Sequence, residues 1–134
     1  MTVALALQTA LLARLAADVA LAASPLAGRL FDAAPRDAGF PHLVVDEAIV
    51  RDRSGLEAPL DETRLALRVV SRKGGRREVM TLAGLVEDAL AAADPDLVGH
   101  RLVLLRRQAT EVRLLDDGLT AEAVLRFVAL TEPL

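Results

Sequence analysis

The side chains able to do chemistry in this 134-residue chain are few, and their spacing is wrong for most of it. His42 and His100 lie far apart, each near the expected start of a strand. Neither has a carboxylate at metal-ligand spacing, so both are expected to be structural. Three adjacent acidic pairs occur, Asp46-Glu47, Asp61-Glu62 and Asp116-Asp117. Paired carboxylates can exchange protons with a substrate or hold a metal. Neighbours on a strand, however, point to opposite faces, and the last pair belongs to a turn. The serines are Ser24, Ser54 and Ser71, none of them in G-x-S-x-G or S-x-x-K. No Walker motif and no G-x-G-x-x-G is present. With no cysteine, disulfides, thiolate zinc sites and Cys nucleophiles are excluded. The expectation is a protein with no catalytic residues, no metal and no cofactor, and therefore not an enzyme.

The one arrangement suited to binding is Ser71-Arg72-Lys73-Gly74-Gly75-Arg76-Arg77. It follows an expected strand and opens an expected helix, where unpaired N–H groups and the helix dipole favour negative charge. Its spacing is not that of a phosphate loop. A solvated arginine-rich turn, a contact for an acidic partner surface and a phosphate or DNA contact all remain open. Lys73 is the only lysine, and the other basic residues are arginines, which form planar, bidentate pairs with carboxylates and suit interfaces. Arg51, Arg53, Arg106 and Arg107 extend the basic set, and Asp116 and Asp117 are the acidic counterpart. Together with Arg72, Lys73, Arg76 and Arg77 they are the candidate partner or subunit interface. No aromatic residue lies among these cations to stack bases, which argues against single-strand nucleic-acid binding.

Formal charge is −3, which rules out a global basic field. The charge is unevenly spread: residues 1–63 carry −4, residues 64–113 carry +4 and residues 114–134 carry −3. Gln8, Arg14 and Asp18 interrupt the apolar opening, and Met1-Thr2-Val3 has no charged side chain. Neither a signal peptide nor a membrane helix fits. The chain is expected to stay in the cytoplasm where it is made, without a membrane.

The elements that must position these residues read as follows. Leu7, Leu11, Leu12, Leu15 and Val19 predict a helix from about Val3 to Ala22, stopped by Ser24-Pro25. A short strand follows at Gly28–Asp32 and a second strand at His42–Arg51. Residues 52–62 read as a mobile loop, and a loop of that length is often functional. Thr63–Ser71 alternates, with Leu65, Leu67 and Val69 on one face. A second helix is expected from Gly75 to Ala92, with Gly84 inside it explained by close approach to the sheet. Strands at Arg101–Arg107 and Thr110–Leu115 follow, then a turn at Asp116-Asp117-Gly118 and a last strand at Leu119–Leu130. The order α-β-β-β-α-β-β-β, in a single domain over residues 1–134, implies an α+β fold. It has one mixed or antiparallel sheet and two main helices packed on one side. Strands carrying arginine outward and ending at sheet edges can pair with another chain, so the sheet can extend across subunits.

Five segments in succession now matter: ALQTALLARLAADVAL, GRLFDAAP, FPHLVVDE, LALRVVSRKGGRREVMTLAGLVEDAL and LVGHRLVLLRRQATEVRLLDDGLTAEAVLRFVALTEP. They resemble the tail-terminator (tail-completion) family of long-tailed phages, and most nearly the versions encoded in gene transfer agents, the phage-like particles of alphaproteobacteria. The resemblance rests on Ser71, Arg72, Gly74, Gly75, Arg76 and Glu78, on Gly99, His100 and Leu102, on Asp116, Asp117 and Gly118, and on Arg126, Phe127, Leu130 and Thr131. Val70 departs from it, since relatives often place an aromatic there, and the lack of Trp and Tyr is unusual.

The resemblance implies an α+β subunit of a homo-hexameric ring that caps the tail tube, ends its polymerisation and meets a head-side connector or stopper protein. DNA would pass through the ring without sequence-specific binding. Assembly would take place in the bacterial cytoplasm, and the protein would end at the neck of the particle. It supplies no catalytic residues. Two other readings are a head–tail connector or stopper neck protein, and a small cytoplasmic anion-binding regulator using the Gly74-Gly75 turn.

Overall fold

The structure, a computed structural model, describes all 134 residues. In chain order the elements are α1 (Val3–Ala16), α2 (Val19–Ala22), β1 (Leu30–Phe31), β2 (His42–Asp52), β3 (Asp61–Ser71), α3 (Arg77–Ala92), β4 (His100–Leu114) and β5 (Ala121–Pro133). They form the expected α+β architecture: one five-stranded mixed sheet in the order β1-β2-β3-β5-β4, with both main helices on one face. β1 runs parallel to β2, and every other pairing is antiparallel. No helix is long and apolar enough to cross a membrane.

α1 begins at Thr2, whose Oγ1 accepts the Leu5 N–H at 3.3 Å. It buries Ala6, Leu7, Ala10, Leu11 and Leu15 at helical spacing. The single helix expected over residues 3–22 is broken. Asp18 is extended, and its Oδ2 accepts the Leu21 N–H at 3.0 Å to cap a new turn, α2. The apolar periodicity runs on through this break, so spacing alone does not show it.

The core lies between these helices and one face of the sheet. Leu65, Leu67 and Val69 of β3 and Ala121, Ala123, Leu125, Phe127 and Ala129 of β5 meet Leu7, Leu11 and Leu15 of α1 and Val79, Leu82 and Val86 of α3. Alternation along β3 and β5 produces this face directly.

Four expectations are corrected. The separate strands at 101–107 and 110–115 are one strand, β4, which passes Gln108 through a bulge between Arg107 and Ala109 instead of turning. The last strand begins at Ala121, so Leu119 is an exposed turn residue and not part of the core face. The loop at 52–62 shrinks to 53–60, because β2 and β3 pair as far as Asp52 and Asp61. Its side chains are exposed except the half-buried Leu60, but its backbone is internally bonded: Arg53 N–H to Leu60 O at 2.8 Å and Gly55 N–H to Ala58 O at 3.0 Å. Finally, a Cβ at Gly84 would meet nothing within 4 Å, so no close approach to the sheet explains that glycine.

Two stability outcomes follow. Gly84→Ala is expected to stabilise the chain by about 0.5–1 kcal/mol, the helix cost of glycine relative to alanine. Thr63 and Thr131 are fully buried, and their hydroxyls have no partner. Thr63→Val, of the same shape, is expected to add about 1 kcal/mol by removing an unmatched polar group. Urea unfolding checks both, and a loss of stability in either variant would contradict the packing described.

Candidate assembly surfaces

The sheet face opposite the helices is open, and an ion-pair lattice covers it. Even-numbered positions put Arg64 and Arg68 of β3, and Glu122 and Arg126 of β5, on this face. In β2 a bulge between Val45 and Glu47 brings both Asp46 and Glu47 onto it, against the expectation that these neighbours diverge. Arg126 reaches Glu47 at 3.0 Å and Glu111 at 3.1 Å. Those contacts, the Glu111 hydrogen bond foremost, raise its pKa above the ordinary guanidinium value. Glu122 is buried at 4 % exposure. It is held by Arg113 at 2.5 Å and by Arg68 at 3.6 Å, and Arg68 also reaches Asp46 at 4.0 Å. Glu62 pairs with Arg64 at 2.9 Å and Arg53 at 3.3 Å, and Arg101 pairs with Glu132. The Arg64 contact leads in drawing the Glu62 carboxyl below its usual range.

The loops gather at two opposite ends of the strands. At the turn end, Gly74 and Gly75 take φ of 80° and 77°, a region that favours glycine. Ser71 Oγ donates to Glu78 Oε1 at 2.7 Å, tying the end of β3 to the first turn of α3. Gly74 N–H donates to Leu119 O at 3.3 Å, which joins this turn to the β4–β5 hairpin. Arg72 lies 5.3 Å over the Phe40 ring, which sits 5.1 Å from His42. Lys73 approaches Glu78 at 3.7 Å. Arg76 and Arg77 project without an ion pair.

Asp117 organises the hairpin. Its Oδ2 accepts from Thr120 Oγ1 at 2.6 Å, and its Oδ1 accepts the N–H groups of Thr120 at 2.8 Å and Leu119 at 2.9 Å. These bonds, the Thr120 hydroxyl first, with Arg72 nearby, lower its pKa to about 2.

The opposite, arm end holds the 53–60 hairpin tip, residues 93–99 and the chain end. There Asp52, Glu57, Asp61, Asp94, Asp96 and Glu132 outnumber Arg51, Arg53 and Arg101.

The ten candidate interface residues therefore occupy three places. Arg72, Lys73, Arg76, Arg77, Asp116 and Asp117 share the turn end. Arg51 and Arg53 lie at the arm end. Arg106 and Arg107 lie on β4, on opposite faces: Arg106 is level with Val128 on the open side, while Arg107 is level with Phe127 and reaches Glu87 at 3.6 Å. Arg68, Arg113, Arg126 and Glu122 were not among the candidate interface residues, although charges falling on even-numbered positions of otherwise apolar β3 and β5 were a readable signal. No group of three metal-ligating side chains converges.

The sheet thus has one face sealed by helices and the other covered by ion pairs. The family model described as "Tail completion protein gp17" matches residues 9–132, and the chain belongs to that family. It is similar to a chain in the virion of a native gene transfer agent particle, with 28% identity over 98% of both chains and a TM-score of 0.87. The gp17 protein of bacteriophage SPP1 shares the fold, with a TM-score of 0.63 and 18% identity over 92% of this chain and 87% of that one. Among curated proteins no match is found.

Two measurements probe these surfaces. Replacing both Arg68 and Arg113 by Met leaves Glu122 a buried, uncompensated carboxylate and is expected to cost about 3 kcal/mol, with each single change costing less than half of that. A double-mutant cycle in urea reads this, and additive single losses would argue against a shared partner. For Asp117, a depressed pKa means stabilisation that is present above the ordinary carboxylate range and lost as pH falls towards 2. Asp117→Asn should therefore melt below the parent at pH 7, and the gap should close between about pH 4 and pH 2. A gap independent of pH would show that the charge is not what matters.

Proposed function

We propose that this chain is the subunit of a six-membered ring that caps the tail tube of a phage-like particle, stops its growth and joins the tail to the head-side connector or stopper protein. Family membership and the likeness to a chain of a gene transfer agent virion support a place in such a particle. The ring would assemble in the bacterial cytoplasm and remain at the neck of the particle, with DNA passing through without sequence-specific contact.

The observation that carries the termination step is the difference between the two strand ends. A tube lengthens because each ring's upper face matches the lower face of the next. A terminator must match the tube on one face and refuse it on the other. Here the turn end presents Arg72, Lys73, Arg76 and Arg77 against Glu78, Asp116 and Asp117, with Arg76 and Arg77 left unpaired, and the arm end presents mainly carboxylates. A subunit built this way gives a ring two chemically unlike faces, one for the tube protein and one for the connector. Like charges brought together on the wrong face also repel, which is how specificity is enforced.

The test is to reverse each end separately in a particle-producing strain, Arg76→Glu with Arg77→Glu in one variant and Asp94→Lys with Asp96→Lys in the other. Tail length and head attachment are then scored by electron microscopy. The two variants are expected to fail differently, one giving tubes of uncontrolled length and the other tubes of normal length without heads. Normal, joined particles from both would remove the two ends as the contact faces.

A further inference from the structure

We infer that copies of this chain join head to tail by strand pairing, the outer edge of β4 in one copy taking up the free edge of β2 in the next. The inference rests on the ring reading above and names the surfaces that would close it.

The topology leaves two sheet edges without partners. β4 borders only β5, so its whole outer edge over His100–Leu114 is free. On the other side β1 covers β2 only at Leu43 and Val44, leaving residues 45–52 open. Long free edges invite pairing, and natural proteins usually blunt them. No proline falls within either segment, although a bulge interrupts β2 after Val45 and two interrupt β4, after Leu102 and after Arg107. Both also expose aliphatic side chains, Ile49 and Val50 on β2, and Val103 and Leu104 on β4, between 39% and 49% exposed. An exposed aliphatic edge is a docking feature when something covers it.

Charge identifies what covers it. Residues 45–52 carry Asp46, Glu47 and Asp52 against Arg51 alone, with Asp46 and Glu47 also meeting Arg68 and Arg126 of the same chain. Residues 100–107 carry Arg101, Arg106 and Arg107 and no carboxylate, with Arg101 and Arg107 paired to Glu132 and Glu87 outside the segment. Arg106 makes no ion pair within its own chain, although most arginines of the open face do. Each edge is therefore complementary to the other and repelled by its own kind. That selects a second copy in a head-to-tail contact, which generates rings, over a two-fold dimer. Direction agrees. β2 and β4 run oppositely, so two copies side by side in the same orientation extend the sheet antiparallel. Arg51 and Leu104 lie level across the sheet, through Glu62 and Leu130, on the open face.

The chain has no cysteine, so single cysteines report contacts cleanly. Arg51→Cys and Leu104→Cys, both at exposed positions, are made separately and treated with a short bismaleimide at rising protein concentration, with and without tail-tube protein. The expected result is a cross-linked dimer only when the two variants are mixed. A variant carrying both cysteines should give a ladder of oligomers, and adding Arg106→Glu should abolish the adduct. A dimer formed by either single variant alone means a two-fold contact and overturns the inference. Absence of any adduct, while native mass measurement finds wild-type rings, means that copies meet elsewhere, and the ring reading survives. Absence of adduct with wild-type protein monomeric under both conditions removes the ring reading as well.

Discussion

The constraint on which this structure depends is that its helices cover only one face of the sheet. α1 and α3 seal Leu65, Leu67, Val69, Leu125 and Phe127, and nothing in the chain seals the other side. A five-stranded sheet left bare on one face would present a broad apolar surface, so that face needs its own way of excluding water from Ala66 and Val128, which are buried all the same. Long arginine side chains laid across the strands and pinned by carboxylates provide it. Arg126 bridges Glu47 of β2 and Glu111 of β4, spanning the four long strands from its place on β5. Arginine suits this better than lysine, because one planar group can hold two carboxylates at fixed angles. The near absence of lysine thus has a structural correlate in this lattice.

How far this was legible in the sequence depends on what each feature needs. Strand faces need only alternation, so the core side of β3 and β5 could be read from Leu65 to Val69 and from Ala121 to Ala129. Register shifts need information about the partner strand. The bulge at Asp46 turned two adjacent carboxylates onto one face, and the bulge beyond Arg107 let β4 run on where a break between two strands was expected. Asp18 offers a related lesson: apolar spacing continued past it, but its carboxylate found the Leu21 N–H and restarted the helix. The candidate interface residues were chosen by type, and type does not say which end or edge a residue occupies. Only the strand order separates the turn-end cations from Arg51 and Arg106.

The turn after β3 shows why residue type alone misleads about binding. Seven residues rich in arginine before a helix look like an anion cradle. In the folded chain Ser71 is bonded to Glu78, Lys73 approaches the same carboxylate, and Arg72 is laid over Phe40 near Asp117. The negative charge that such a helix start favours is already supplied by Glu78 in its first turn. Glu78 and the hairpin aspartates take up much of the local field, and Arg76 and Arg77 are the cations left to face outward. That division suits a protein partner better than a small anion, since the open depression beside Arg77 and Lys73 is also lined by the Glu78 carboxylate.

A tail-completion protein must also avoid contacting the wrong thing, and the geometry bears on this. The open sheet face is nearly neutral in pairs, so it offers little to a polyanion moving past it, because charges already neutralised at close range have little field beyond a Debye length of about 8 Å. The strand ends and sheet edges, in contrast, keep unpaired charges such as Arg76 and Arg77 at the turn end and Arg106 on β4. In an assembly with rotational symmetry these are different directions: edges meet neighbours around a ring, and ends meet what lies above and below it. Segregating paired charge to the face and unpaired charge to the edges and ends lets one small sheet be inert in one direction and selective in the others.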